Sequence, residues 1–165
     1  MAQRYRDEYA HYINTATKTG STTTQTWVRE GTGVESLSVA FNPQVDTYKT
    51  ILDRAAQSTF NNYQLSSSVS GKRCYSEDAI YEYLDELRRT ATAAETQLLE
   101  IDTAKTNGTA GHYQAVMYDV LITINEWLGE NATISYDINY SNPKTGYATI
   151  SGSTITFVED SEVSL

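Results

Sequence analysis

The clearest pattern in the chain is an alternation of apolar and polar residues along its second half. Large apolar and polar residues alternate over Thr133–Tyr140, which is the two-residue period of a strand that buries one face. The longer run Tyr113–Trp127 alternates in the same way, and one of its two faces is more polar than the other. Tyr147–Ile150 and Ser153–Val158 follow, with Ser151-Gly152 as a turn between them. The second half is therefore predicted to be β-rich.

Turn residues and shorter alternating runs extend this pattern. Pro143 and Gly146 predict a further turn. Four shorter strands are predicted, at Thr24–Arg29, Val34–Phe41, Gln64–Val69 and Gln97–Asp102. Gly31-Thr32-Gly33 lies between the first two and predicts a hairpin turn, because it lacks the third glycine and the following helix of a nucleotide-binding loop.

One segment has the period of an amphipathic helix instead. Ser76 is the predicted N-cap of a helix over residues 77–91, with acidic residues in its first turn and two arginines in its last. Its apolar stripe consists of Ile80, Tyr83, Leu84 and Leu87. Seven or eight strands and one helix predict a mainly β fold, a sandwich or barrel with one flanking α-helix.

Residues 42–63 are ambiguous. Val45, Tyr48 and Leu52 fit a helical stripe, while Tyr48, Thr50 and Leu52 fit the edge of a strand. The spacing favours a helix. In either form the segment has few large apolar residues for a core, and a long excursion of this kind in a compact domain is usually functional or mobile.

The two ends of the chain differ from the middle. Residues 1–25 are polar and rich in threonine, apart from Tyr5, Tyr9, Tyr12 and a neighbouring isoleucine. This composition predicts an arm that is mobile alone and becomes ordered on a neighbouring molecule. Residues 159–165 predict a disordered acidic tail. The domain is then expected to span residues 26–158.

Composition narrows the classes of function. The net charge is −9 and the pI about 4.6, which disfavours a protein that binds nucleic acid by neutralising phosphates. A single cysteine excludes an internal disulfide. The charged N-terminal sequence predicts neither a signal peptide nor a membrane anchor, so we expect the chain to be made in a cytoplasm and to have no membrane partner.

No familiar catalytic pattern is present. The sequence has no nucleophile elbow, no Walker loop and no His-Glu-x-x-His, and its two histidines lie about 100 residues apart. Twenty-one acidic residues make any carboxylate pair unspecific. We therefore predict a protein that is not an enzyme, with no catalytic residues, cofactor or metal. The 13 tyrosines suit half-buried sheets and protein interfaces alike.

The order of these features resembles the tail tube (major tail) proteins of long-tailed bacteriophages. The resemblance covers residues 25–158. In order, it rests on the Trp27 strand with Gly31-Thr32-Gly33, the return to Phe41-Asn42-Pro43, the excursion through Tyr48, Ser76-Glu77-Asp78 opening the helix, the strand HYQAVMYDVLITI and the Gly146-Tyr147 hairpin.

The resemblance implies a tail tube fold, which is related to the type VI secretion tube protein. Six copies would close a ring, and stacked rings would form a hollow tube through which DNA passes into the host without tight binding. The implied partners are further copies, tape measure, tail terminator and distal tail or baseplate proteins. The implied location is the virion tail, assembled in the host cytoplasm.

Two groups of residues acquire roles on this basis. The arm and the 42–63 loop would join neighbouring subunits, through Tyr5, Tyr9, Tyr12, Pro43, Tyr48, Leu52 and Tyr63. The polar strand faces would line the bore, through Asp119, Thr123, Asn125, Ser135, Asp137 and Asn139. Two alternatives stay open: a monomeric β-sandwich that binds glycans through tyrosines, and another tail part such as a terminator or distal tail protein.

Overall fold

The fold is seen in a computed structural model that describes residues 8–16, 25–52, 54–106, 108–129 and 131–160. Within these residues the chain is mainly β, with one helix. The strands are β1 Tyr9–Asn14, β2 Trp27–Glu30, β3 Val39–Ala40, β4 Pro43–Tyr48, β5 Gln57–Tyr63, β6 Ser66–Arg73, β7 Ala94–Thr106, β8 His112–Gly129, β9 Thr133–Ser151 and β10 Thr154–Glu159. The helix is α1 Ala79–Thr90.

Eight of the strands form one antiparallel sheet. Its order is β2-β1-β7-β8-β9-β6-β3, and β10 pairs with β9 outside this path. Strands β4 and β5 form a separate two-stranded ribbon. This arrangement confirms the predicted mainly β class with a flanking helix.

Strands β8 and β9 are the centre of the sheet. They pair from His112↔Thr149 to Gly129↔Thr133. Strand β9, at 19 residues, also pairs with β6 at one end and β10 at the other. The turn predicted at Pro143 and Gly146 is wrong, because both residues lie inside β9. Pro143 is tolerated there because it falls in a register shift of the β8–β9 ladder, where its missing N–H breaks no bond.

Helix α1 covers one face of the sheet. Its predicted start at residue 77 with Ser76 as the cap is wrong by two residues, because the side chain of Asp78 accepts the Ile80 N–H at 3.0 Å and caps the helix instead. The helix ends at Thr90, and the next residue, Ala91, caps it with left-handed backbone geometry. Ile80 and Leu84 are buried from this helix. They pack with the buried core residues Ile13, Val69, Ala94, Leu98, Val120, Ile122, Ile134, Tyr136 and Ile138.

The opposite face of the sheet carries a second apolar cluster. Leu98 belongs to the core under the helix, whereas its neighbour Leu99 belongs to the second cluster, as the alternation of side chains along a strand requires. The buried members of the second cluster are Leu99, Ile101, Ala115, Met117 and Ala148. The long strands therefore bury residues on both faces at one end.

The predicted N-terminal arm is wrong for the part that the structure describes. Strand β1 lies between β2 and β7 in the sheet. Its buried polar residues are hydrogen-bonded: His11 Nε2 lies 3.0 Å from Glu100 Oε2, and Asn14 Oδ1 accepts two backbone N–H groups. Tyr9 and Tyr12 are half-buried. The remaining arm residues, 1–7 and 17–24, and the tail residues 161–165 lie outside the described residues.

The predicted hairpin after Trp27 is also wrong. Strand β2 forms, but it pairs with β1. Only Val39 and Ala40 of the predicted return strand are extended in a ladder, and they pair with β6. The strand predicted at Gln64–Val69 corresponds to β6, which continues to Arg73. The first residue of the predicted acidic tail, Glu159, is instead the last residue of β10.

Candidate functional site

Residues 42–63 form a projecting β-hairpin, so the helical interpretation of this segment is wrong. Strands β4 and β5 pair from Pro43↔Tyr63 to Tyr48↔Gln57. At the base, Asn42 has a left-handed φ of 41° and its amide donates to the Gln64 carbonyl and the Ser66 hydroxyl, both at 2.9 Å. These bonds fix the direction in which the hairpin leaves the sheet.

A register shift gives the hairpin one apolar face. The shift after Gln44 leaves Asn61 as an extra residue, so that Phe60 and Tyr63 point to the same side. Their ring centroids lie 4.7 Å apart, and the ring of Phe41 lies 5.4 Å from that of Tyr63. Val45 is directly opposite Phe60. We call Phe41, Val45, Phe60 and Tyr63 the apolar face of the hairpin.

The other face of the hairpin is polar and bonded to itself. The amide of Asn61 donates to Asp46 Oδ2 at 2.7 Å, and the Tyr48 hydroxyl donates to Gln57 Oε1 at 3.0 Å. Closer to the base, the amide of Gln44 donates to Gln64 Oε1 at 3.3 Å. These contacts hold the two strands in register, and the residues that make them are exposed. The hairpin is thus amphipathic, which is typical of a ribbon that packs against another surface.

The apolar face is exposed in the single chain. Between 50% and 55% of the surface of each of its four residues is accessible, and Ile51 and Leu52 at the turn are fully exposed or nearly so. Of the predicted interface residues, Pro43, Tyr48, Leu52 and Tyr63 all lie on the hairpin and are exposed. Tyr9 and Tyr12 lie in β1, away from that group, and Tyr5 is outside the described residues.

The six predicted bore residues share one sheet face. Asp119, Thr123 and Asn125 alternate along β8, and the ladder places Asp137 opposite Thr123 and Asn139 opposite Leu121. Asp137 is the centre of a small network, because the hydroxyl of Ser68 and the amide of Asn125 both donate to its carboxylate. These hydrogen bonds, from Ser68 and then Asn125, lower the pKa of Asp137, so that it carries its charge at neutral pH.

A buried ionic cluster lies under the helix. The ammonium group of Lys72 is 2.7 Å from Asp78 Oδ2, an ion pair without hydrogen-bond alignment, and 3.4 Å from Glu30 Oε1. It also donates to the carbonyl of Thr32. The Tyr136 hydroxyl donates to Glu30 Oε1 at 2.6 Å, while Glu30 Oε2 has no hydrogen-bond partner among the described residues.

Burial dominates the electrostatics of this cluster. Desolvation raises the pKa of Glu30 against the opposing attraction of Lys72, and it raises the pKa of Tyr136 well above its ordinary value. Lys72 and Tyr136 have no accessible surface. A substrate cannot reach either side chain, so we interpret the cluster as a structural tie. It joins β2, β6, β9 and the start of α1.

Sequence reasoning missed this cluster. Lys72 follows four serines, a valine and a glycine in β6, so its sequence is typical of a polar, solvated strand. Its inward orientation comes from the register shift in the β6–β9 ladder after Val69, which the alternation alone does not reveal. The position of Asp78 in the sequence predicts only an interaction with the helix dipole and gives no sign of the ion pair with Lys72.

Comparisons with known proteins supply no family for the chain. No protein-family model matches it, and no curated protein is significantly similar to it. In the described residues, no helix has the length and apolar character needed to cross a membrane, and no cluster of three or more potential metal-ligating residues occurs.

Proposed function

We propose that this chain is a structural virion protein, the subunit of a bacteriophage tail tube. Six copies form a ring, and stacked rings form the hollow tube through which DNA enters the host. The observation that carries the proposal is the hairpin of residues 43–63, whose apolar face is left exposed by its own chain. The resemblance of the sequence to tail tube proteins supports it independently.

The hairpin needs a partner for physical reasons. A two-stranded ribbon alone is marginally stable in water, and this one belongs to no larger sheet. Covering the remaining half of a large apolar side chain contributes about 1 kcal/mol, so the four residues of the apolar face supply roughly 4 kcal/mol per contact before the cost of association. A repeated contact between identical subunits multiplies this gain along a tube.

The partner is a second copy of the same chain. The ends of the main sheet, β2 and the two-residue β3, present backbone groups that a neighbour's strand can pair with. Such a contact joins unlike surfaces, and it closes a ring when its rotation divides a full turn. Tape measure, terminator and distal tail or baseplate proteins complete the proposed set of partners, in the virion tail and its assembly site in the host cytoplasm.

The proposed wall of the bore is the polar sheet face that carries Asp119, Thr123, Asn125, Ser135, Asp137 and Asn139. Six copies of a chain with charge −9 carry a formal −54, and acidic groups that face a bore repel phosphates. Screening over about 8 Å at physiological salt confines this repulsion to the wall. Asp137 is negatively charged at neutral pH, and its lowered pKa extends that charge to more acidic conditions, which favours passage of DNA over adhesion.

The glycan-binding alternative has less support from the exposed aromatic residues. The rings of Phe41 and Tyr63 meet at 84° and those of Phe60 and Tyr63 at 55°, so they present no flat platform to a sugar ring. A terminator or distal tail protein shares the proposed fold and differs in stopping at single rings. No active-site chemistry forms part of the proposal.

The test is assembly of purified protein, viewed by negative-stain electron microscopy over a range of concentrations. The wild-type chain is expected to form tubes of stacked rings. A Phe60→Ser/Tyr63→Ser variant is expected to lose them, because it removes the apolar face and leaves the body intact.

The matched control is Thr59→Ala/Asn62→Ala, on the opposite face of the same strand, which is expected to assemble as the wild type does. Circular dichroism of both variants checks that the sheet is retained. Isolated rings from the wild-type chain would favour the terminator, and a wild-type chain that stays monomeric at high concentration would refute the proposed function.

A further inference from the structure

The buried ionic cluster under the helix holds an amine and a carboxyl group in reactive proximity. The Lys72 nitrogen lies 2.7 Å from Oδ2 of Asp78, and neither side chain is more than 4% exposed. The two oxygens of Asp78 differ in their contacts. Oδ1 accepts the N–H of Ile80 at 3.0 Å, whereas Oδ2 has no hydrogen-bond partner among the described residues. Two reacting groups held this close need no encounter in solution, which removes much of the barrier to a reaction between them.

A second carboxyl group adjoins this pair. Oε1 of Glu30 lies 3.4 Å from the Lys72 nitrogen and accepts the Tyr136 hydroxyl at 2.6 Å. The other oxygen, Oε2, has no hydrogen-bond partner among the described residues. Burial raises the pKa of Glu30, which favours its protonated form. A protonated carboxyl group beside an amine is in position to act as a general acid and base.

The surroundings of the cluster are apolar and closed to solvent. Lys72 has no accessible surface, and the ladder places Ile134 opposite it. Ile134, Val69 and Tyr136 belong to the core under the helix. Two carboxylates and one ammonium group leave a net negative charge in this core, where each charge is costly. Replacing the ammonium and one carboxylate by a neutral amide removes two of these charges, and exclusion of water protects the amide from hydrolysis.

We propose that Lys72 and Asp78 join in an intramolecular isopeptide bond, with Glu30 as the proton carrier. The Lys72 ammonium group gives one proton to the Asp78 carboxylate, and the neutral amine attacks Cγ. The charge that develops on Oδ1 is stabilised by the Ile80 N–H that already donates to it. Glu30 takes a second proton from the nitrogen and gives its own proton to Oδ2. The Cγ–Oδ2 bond breaks, the Nζ–Cγ bond remains, and the ammonium and carboxylate have become an amide and one water molecule.

This bond fastens the start of α1 to the sheet. Lys72 lies near the end of β6, and Asp78 is the N-cap of α1. The remaining oxygen, Oδ1, keeps the hydrogen bond from Ile80 and caps the helix as the amide oxygen of an asparagine does. Salt and acid weaken an ion pair but leave an amide intact. The inference goes beyond the proposed assembly, since the bond needs only one chain.

Intact mass spectrometry of the denatured wild-type chain tests the bond. The mass is expected to be about 18 Da below that of the sequence, because one water molecule is lost. After tryptic digestion, residues 55–73 are expected to stay joined to residues 74–88, because Arg73 is still cleaved while the modified Lys72 is not.

Three results for the wild-type chain would overturn the proposal. The first is a folded chain with the full mass of its sequence. The second is a mass deficit without joined peptides, which would mean dehydration at another site. The third is a link between residues 55–73 and 30–49, which would place the bond on Glu30 instead of Asp78.

Two substitutions test the roles of single groups. Asp78→Ser retains a side chain that can cap the helix but has no carboxyl group, so the full mass of its sequence is expected. Glu30→Gln keeps the shape of the side chain but cannot carry the proton. Its bond is expected to form at least about 100-fold more slowly than that of the wild type, followed by mass during cell-free translation.

The matched control is Glu35→Gln. It makes the same chemical change in the loop after β2, at an exposed residue that pairs with Arg73 outside the cluster. It is expected to form the bond at the wild-type rate, and circular dichroism checks that each variant retains the sheet. Equal rates for Glu30→Gln and Glu35→Gln would overturn the role of Glu30, and a mass deficit in Asp78→Ser would overturn that of Asp78.

Discussion

The hairpin and the body of this protein use the same kind of strand for opposite purposes. In the body, the core residues Val69, Ile122 and Ile138 have at most 1% of their surface exposed. In the hairpin, Val45 and Phe60 have about half of theirs exposed. One region is therefore stabilised by its own chain, whereas the other leaves apolar side chains exposed for the subunit contact that we propose. The comparison leads to three predictions about stability.

Removing the buried ammonium group is expected to have the largest effect. Lys72→Met leaves the carboxylates of Glu30 and Asp78 buried without their cation, which costs about 3–5 kcal/mol. The free energy of unfolding should be measured by urea titration in the Phe60→Ser/Tyr63→Ser background, so that assembly does not contribute. Lys49→Met on the hairpin is the control, expected within about 0.5 kcal/mol of its parent. Equal effects of the two substitutions would contradict the comparison.

The same substitution in each region gives a direct contrast. Val69→Ala deletes two buried methyl groups and is expected to cost about 2–3 kcal/mol, since it also leaves a cavity. Val45→Ala removes the same atoms from an exposed position and is expected to change the stability of the monomer by less than about 0.5 kcal/mol. Chemical denaturation of the two monomers measures both values. In the assembling chain, Val45→Ala should raise the concentration at which tubes form, whereas a Val45→Ala chain with unaltered assembly would remove Val45 from the contact.

The smallest effect concerns pH. Because burial raises the pKa of Glu30 above 4.5, its contribution to stability is present below that pH and is lost as the pH rises through the folded-state value. The free energy of unfolding of the wild-type chain, minus that of the Glu30→Gln chain, should therefore fall as the pH rises from 4.5 towards neutrality.

Urea unfolding of the two chains at several pH values gives this difference directly. Glu82→Gln, at an exposed position on the helix, is the matched control and should leave the pH dependence unchanged. A difference between the wild-type chain and Glu30→Gln that stays constant across the range would show that Glu30 has the same pKa folded and unfolded.

The sequence predicted the parts of the fold in which one period holds over many residues. The alternation in Thr133–Tyr140 identified Ile134, Tyr136 and Ile138, all of which are buried. The helical stripe identified Ile80 and Leu84 in the same way. In these elements burial decides which face each side chain occupies, so the spacing of the apolar residues is enough to predict it.

The elements that sequence reasoning missed are held by polar contacts or by contacts far apart in the chain. The sequence predicts an arm where β1 forms, because His11 and Asn14 carry no apolar signal, yet partners such as Glu100 and the Thr26 N–H satisfy them in the sheet. The spacing within residues 42–63 favours a helix because the extra residue Asn61, which puts Phe60 and Tyr63 on one face, interrupts the two-residue alternation of the strand. The interface residues predicted in this segment rest on its composition and on the resemblance, and the orientation of Tyr63 depends on the register shift after Gln44.

The length of β9 has a consequence for synthesis of the protein. Residues 66–73 leave the ribosome long before the strand that pairs with them, since Ser66 pairs with Asn139 in the β6–β9 ladder. Until then, β6 has only the two-residue β3 as a described partner. Closure of such distant pairs is slow, and unpaired strands at that stage are prone to aggregate. Folding of a nascent copy is therefore expected to depend on chaperones until residue 151 has emerged.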